Sequence, residues 1–204
     1  MPTFDNSKQK VENKHRMKKA LVLFIGFICY QIICHAQVMD EHYYFKNLSV
    51  QNGLSQNTVN AILQDKQGFM WFGTKDGLNR YDGLSFRKFK HDGRSQQSIG
   101  NSFITALYED AEGNIWVGTD VGLYIYYPEH DSFRHFEELS VEDTKIEHTV
   151  TAIVGDDQGC VWIAVESQGL FCYDLEKERL QNYTLKNFPF ISTNVQSFVF
   201  DNSG

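Results

Sequence analysis

An all-β fold is predicted for this 204-residue chain by three observations: a unit that recurs about every 45 residues, four short strand-like runs within each unit, and Asp- and Gly-bearing turn signals between the runs. The unit opens as Asp65-Lys66-Gln67-Gly68-Phe69-Met70-Trp71, returns as Asp110-Ala111-Glu112-Gly113-Asn114-Ile115-Trp116, and returns again as Asp156-Asp157-Gln158-Gly159-Cys160-Val161-Trp162. The tryptophans lie 45 and 46 residues apart. Each is followed by a Gly-Leu pair and an aromatic: Gly77-Leu78 with Tyr81, Gly122-Leu123 with Tyr126, Gly169-Leu170 with Tyr173. A second aromatic closes each unit, at Phe89, Phe136 and Tyr183. A period near 45 with one four-stranded antiparallel sheet per repeat is the sequence mark of a β-propeller blade. A fourth copy opens at Asp201-Asn202-Ser203-Gly204. The expectation is an incomplete ring of about three and a half blades, cut from something longer.

The elements follow in chain order. Met17-Lys18-Lys19, an uncharged run from Ala20 to Ile33, and Cys34-His35-Ala36 have the three parts of a secretory signal peptide, a helical segment removed after Ala36. The apolar run is shorter than the roughly 20 residues needed to span a bilayer, and Met17 is a candidate true start. Residues 1–36 are therefore assigned to the signal, and the exported chain is expected in the periplasm. Residues 37–57 contain an aromatic strand-like stretch, His42 to Ser49, expected to complete a last blade that is absent. The blades are placed at 58–90, 103–137 and 149–184, with the start of a fourth at 194–204.

Within the blades, the first strand is expected at Thr58 to Gln64, Phe103 to Glu109, Thr149 to Gly155 and Asn194 to Phe200. Ala61, Ala106, Ala152 and Ser197 put a small residue at the same place in each, as crowding at a central channel requires. Asp-x-x-Gly then suits a type I turn, with Asp65, Asp110 and Asp156 first and Gly68, Gly113 and Gly159 fourth. The second strand runs Phe69 to Thr74, Asn114 to Thr119 and Cys160 to Val165. It carries Trp71, Trp116 and Trp162, expected to be buried between adjacent sheets. The third strand begins at each Gly-Leu, and the fourth holds Ser85 to Lys90, Phe133 to Glu137 and Leu180 to Thr184. The third unit departs twice: Ala164 stands where the others have Gly73 and Gly118, and one extra residue lengthens the hairpin before Gly169.

Composition narrows the function classes. The chain is 42% hydrophobic and 22% charged, with 15 Gly and 3 Pro, which excludes collagen-like and disordered chains. Its formal charge is -7, but six of the 19 basic residues and only two of the 26 acidic ones precede residue 37, leaving 13 basic against 24 acidic groups beyond it. So acidic a segment repels phosphate backbones, and nucleic acid is not an expected partner. Of the four cysteines, Cys29 and Cys34 leave with the signal. Cys160 and Cys172 are too few for a disulfide scaffold and are expected almost opposite each other on neighbouring strands, as free thiols.

No catalytic constellation is recognisable. Asp76, Asp120 and Glu166 occupy similar hairpins and would put one acid per blade on one rim, where Asp is favoured as a turn residue. His42, His91, His130, His135 and His148 have no metal-ligand spacing, so no metal or cofactor is expected. A ligand site is expected where loops enter the first strands. Asn57, Ser102, His148 and Thr193 hold equivalent positions there and vary while the frame does not.

Gly53-Leu54-Ser55-Gln56-Asn57-Thr58-Val59, the Asp-x-x-Gly-x-x-Trp-x-Gly-Thr units and the trailing Gly-Leu-x-x-Tyr resemble two-component regulator propeller repeats, over nearly all of Phe45 to Gly204. WD repeats share the period but place Trp-Asp at a strand end, whereas Phe72, Val117 and Ile163 follow the tryptophans here. The Asp-box pattern of sialidase-type propellers also fails. The resemblance implies the periplasmic sensor of a Bacteroides-type hybrid two-component histidine kinase, with kinase and output domains downstream. It implies as partners an oligosaccharide ligand, the remaining blades and C-terminal domains of the longer protein, and a second copy of the chain. A propeller enzyme acting on glycans and a passive protein-interaction scaffold are the alternatives.

Overall fold

A computed structural model describes residues 6–35, 44–138, 145–183 and 194–199. Two compact units are present, Met1–Lys46 and Asn47–Gly204. In the first, Asn6–His35 form a single helix, α1. The run contains no proline and one glycine, Gly26, so nothing interrupts its hydrogen-bond ladder. Among the described residues no helix is long and apolar enough to cross a membrane. The expected cleavage point after Ala36 lies outside the described residues.

The second unit consists of three four-stranded antiparallel sheets, each built from consecutive strands in simple meander order. The first sheet is β1 (Val59–Gln64), β2 (Met70–Thr74), β3 (Gly77–Tyr81) and β4 (Phe86–Phe89). The second is β5 (Ile104–Glu109), β6 (Ile115–Thr119), β7 (Leu123–Tyr127) and β8 (Ser132–His135). The third is β9 (Val150–Gly155), β10 (Cys160–Val165), β11 (Gly169–Asp174) and β12 (Arg179–Tyr183). These are the predicted blades, with strand ends shifted by a residue or two.

Several expectations need correction. The fourth strand of the second sheet stops at His135, and Phe136–Glu138 instead form a 3-10 turn that swings the Phe136 ring under Trp116, at 5.7 Å between centroids. Residues 44–49 and 194–199, expected as strands, form no ladder among the described residues, and an extended segment becomes a strand only when a neighbour pairs with it. Just after the expected stretch, Val50–Asn52 form a 3-10 turn. Cys160 and Cys172 do lie on neighbouring strands as free thiols; Cys160 pairs with Asp174 and Cys172 with Trp162, which makes them diagonal neighbours.

Aromatic triads hold the sheets together. Trp71 packs against Phe89 of its own sheet (5.8 Å) and Tyr126 of the next (5.4 Å), and Trp116 repeats this with Phe136 (5.7 Å) and Tyr173 (5.8 Å). Both tryptophans are 1% exposed. The first seam combines a stacked Trp71–Phe89 pair with tilted and edge-on rings, the second holds tilted and edge-on rings, and aliphatic side chains from both sheets surround each. Trp162 departs from expectation in being half-buried. It packs on Tyr183 of its own sheet at 5.1 Å.

The motif residues act as one device. The Asp65 carboxylate accepts the backbone N–H groups of Gln67 and Phe69 with one oxygen and the indole N–H of Trp71, at 2.7 Å, with the other. Asp110 takes Asn114 and Trp116 in the same way, and Asp156 takes Gln158, Cys160 and Trp162. The turn glycines Gly68, Gly113 and Gly159 have φ of 91°, 87° and 84°, where a β-carbon is disfavoured. Turn and core are therefore locked by one carboxylate per sheet.

Candidate functional site

The sheets have two rims. One carries the Asp-x-x-Gly turns and the β3–β4, β7–β8 and β11–β12 turns; the other carries the entries to β1, β5 and β9 and the hairpins before Gly77, Gly122 and Gly169. Of the sequence-predicted ligand residues, Asn57, Ser102 and His148 lie on the second rim.

Their side chains have different surroundings. The Asn57 amide oxygen accepts the Val50 N–H at 2.9 Å, tying the upstream 3-10 turn to the first sheet. The Ser102 hydroxyl oxygen accepts the His91 N–H at 3.0 Å. His148 is exposed. Thr193 lies outside the described residues. Sequence reasoning missed the role of the backbone here: Gly77 N–H donates to the Ser102 carbonyl at 2.7 Å and Gly122 N–H to the His148 carbonyl at 3.4 Å, so these positions stitch each hairpin to the sheet that follows.

The three hairpin acids do not share one environment. Asp76 pairs with Lys90 at 2.6 Å, and Glu166 is exposed. Asp120 has one carboxylate oxygen buried without a hydrogen-bond partner. No group of three or more His, Cys, Asp or Glu residues able to hold a metal occurs among the described residues.

The inner strands carry a device that sequence reasoning did not find. Each has a one-residue bulge, at Asn60, Thr105 and Thr151, because the ladder skips that residue between Val59 and Ala61, Ile104 and Ala106, and Val150 and Ala152. A bulge re-aims its side chain out of the ladder. Asn60 donates to the Ile104 carbonyl at 2.8 Å, Thr105 to the Val150 carbonyl at 2.6 Å, and Thr151 to the Val195 carbonyl. The sequence signal was visible in outline: a polar residue always stands between a β-branched residue and the small one.

The small residues also have a more specific cause than a crowded channel. Ala61 faces Gly73 across the ladder, Ala106 faces Gly118, and Ala152 faces Ala164. A β-carbon on Gly73 would sit 2.6 Å from Ile104, and one on Gly118 would sit 2.7 Å from Val150. The pair is small because a branched side chain of the next sheet rests on it.

A polar pin fixes the Gly53-Leu54-Ser55 segment to the first sheet. Asn79, fully buried, accepts the Ser55 N–H at 2.9 Å and donates to the Ser55 hydroxyl at 2.8 Å, and that hydroxyl also lies 2.8 Å from Thr74 Oγ1. Leu54 beside it is 2% exposed. In the second sheet the equivalent of Asn79 is Tyr124, and Gly100 replaces Ser55, leaving the space its phenol occupies.

Residues 53–76 and 98–121 match the sequence profile described as Two component regulator propeller. A histidine kinase of Formosa agariphila is 38% identical over 63 residues, which cover 31% of this chain and 5% of the kinase. The extracellular domain of a hybrid two component system from B. thetaiotaomicron superposes with a TM-score of 0.66 at 29% identity, covering 75% of this chain and 22% of that one. The extracellular domain of a one component system from the same organism has the same fold, with a TM-score of 0.65 at 23% identity over 80% of this chain and 24% of that one. The chain thus spans a small part of each of these relatives. The matched profile, the shared sheets and the likeness to a histidine kinase bear out the resemblance read from the Gly-Leu-Ser and Asp-x-x-Gly-x-x-Trp units: residues 53–76 and 98–121 are similar to two component regulator propeller repeats, and the sheets to the extracellular domain of a hybrid two component system.

Proposed function

We propose that the chain is the N-terminal part of a periplasmic, ligand-sensing propeller of a hybrid two-component sensor histidine kinase, exported by a signal peptide at residues 1–36. Its ligand is an oligosaccharide, and its output is phosphotransfer by kinase domains downstream. The observation that carries this reading is the likeness of repeats and blades to the extracellular domain of a hybrid two component system. The segment itself is a non-catalytic sensor piece, anchored through the longer protein. Asn57, Ser102, His148 and Thr193 contribute to the ligand rim, where polar groups of different kinds stand on one fixed frame.

A ligand held at a channel mouth is contacted by several blades, so the sensor site needs more blades than this chain supplies. Calorimetry with a panel of oligosaccharides tests this. A version extended to a closed ring is expected to bind one of them saturably, and residues 37–204 alone weakly or not at all. His148→Ala in the extended protein should weaken binding by about 1 to 3 kcal/mol. Hydrolysis of a glycan by the extended protein, or tight binding by the short segment, would contradict the proposal.

A further inference from the structure

The two complete seams between sheets can be compared position by position, and they differ in the slot that flanks the tryptophan. In the first seam Arg80, the ladder partner of Trp71, lays its guanidinium 4.6 Å from the Phe69 ring centroid and 5.7 Å from that of Trp71. Lys66 donates to the carbonyls of Asp110 and Ala111 at 2.7 and 2.9 Å, and Arg87 pairs with Asp131 at 2.5 Å. Three cations thus fill the outer end of that seam.

In the second seam the same three-residue slot reads differently. Ile125 is the ladder partner of Trp116, Asn114 takes the place of Phe69, and Ala111 takes that of Lys66. An open cleft of about 500 Å³ remains, lined among others by Asp110, Glu112, Glu178, Trp116, Tyr127 and Tyr173. Its lining includes no lysine or arginine. The nearest counterpart of a first-seam cation, Arg134 in the place of Arg87, is exposed, with its guanidinium 5.7 Å from the Tyr127 centroid. Asp110 is already engaged by Trp116 and Asn114, whereas Glu112 and Glu178 stand exposed at the mouth. Burial raises the pKa of both phenols; Asp110 adds to the rise at Tyr127 against an opposing effect of Arg134, and Glu178 adds to it at Tyr173. The lining thus carries three carboxylates, from Asp110, Glu112 and Glu178, and no basic side chain, with the Arg134 guanidinium at its edge over Tyr127.

We propose that this cleft binds an organic cation, a guanidinium or ammonium group on a small ligand, in the place that Arg80 occupies in the neighbouring seam. The half-buried Tyr127 ring, which Arg134 approaches to 5.7 Å, is the aromatic face that attracts such a group, and the two glutamates pair with it. The volume is of the order of small-ligand pockets. The site lies on the rim opposite Ser102 and His148, and its existence does not depend on the oligosaccharide reading.

The test titrates the full 204-residue chain with butylguanidinium and with butylurea, which has the same shape without the charge, followed by calorimetry and tryptophan fluorescence. Saturable binding of butylguanidinium is expected, with butylurea at least about tenfold weaker. Glu178→Gln should weaken the cation at least about threefold, since it removes one charge at an exposed turn. Asn114→Phe combined with Ile125→Arg transplants the first-seam pair; it should abolish binding and raise the thermal midpoint, because the slot is then filled from within. Absence of saturable binding by the folded chain, equal binding of butylurea, or unchanged binding in the transplanted variant overturns the proposal. Should the transplanted variant misfold, unchanged affinity in Glu178→Gln alone overturns it.

Discussion

At the scale of single residues, the aspartate of each Asp-x-x-Gly turn matters more than its turn role suggests. Removing the Asp110 side chain strips acceptors from the Trp116 indole and the Asn114 N–H together, in a site only 3% exposed. Asp110→Ala should destabilise the fold by about 2 to 3 kcal/mol, read by urea unfolding, with Asp110→Asn recovering part of the loss. Cys172 gives a second prediction. Burial, and after it the neighbouring Cys160 thiol, pushes its pKa up to about 12, so the thiolate is scarce at neutral pH. Alkylation of Cys172 by iodoacetamide should therefore be far slower in the native chain than in urea, as peptide mapping would show. The aspartates and tryptophans were legible in the sequence because they repeat. Their bond to each other was not, since a spacing of six residues says nothing about which oxygen faces which ring until the turn has folded. Likewise Asn57 and Ser102 were read as open rim groups, while their hydrogen bonds to Val50 and His91 depend on loops with no repeat of their own.

At the scale of elements, strand positions could be read because the Asp-x-x-Gly turn after each first strand and the Gly-Leu pair at the start of each third strand recur in every unit. The bulge in every inner strand showed only in outline, as the polar residue between a β-branched residue and the small one, because which positions pair across a ladder is not written in one strand's sequence. Its effect can be isolated at Thr105, whose hydroxyl meets the Val150 carbonyl at 2.6 Å. Thr105→Val keeps the shape and deletes the donor, and should cost about 1 to 2 kcal/mol; Thr105→Ser should restore most of it. Equal loss in both variants, measured by thermal and chemical unfolding, would assign the effect to packing instead. Residues 194–199 and Trp162 were expected in a regular strand and a buried core because the repeat treats all copies alike. A ladder requires a paired strand, which residues 194–199 do not have among the described residues, and the half-buried Trp162 packs on Tyr183 at 5.1 Å.

At the scale of the molecule, the sheets also meet through charge. Arg87 of the first sheet and Asp131 of the second are joined at 2.5 Å, and the Tyr126 hydroxyl donates to the same carboxylate. The arginine, with Tyr126 as a further donor, holds the Asp131 pKa below the ordinary 3.8. The linkage has a definite sign: this stabilisation is complete above the ordinary carboxylate value and is lost as pH falls through the depressed one. Both side chains are about half exposed, so a double-mutant cycle of Arg87→Ala and Asp131→Asn should give a coupling of only about 0.2 to 1 kcal/mol at neutral pH. The coupling should fade in acid, and a value unchanged at pH 2 would remove the ionic account.

The bulge bonds also have a direction. Asn60, Thr105 and Thr151 are donors on the earlier sheet; the carbonyls of Ile104 and Val150 are acceptors on the sheet that follows, and that of Val195 is the acceptor in the segment after the third sheet. A chain emerging from a ribosome or an export pore, amino end foremost, therefore displays a finished docking face before the sheet that needs it has arrived. Assembly proceeds like the laying of roof tiles, each course overlapping the one to come, and the vulnerable edge at any moment is always the newest.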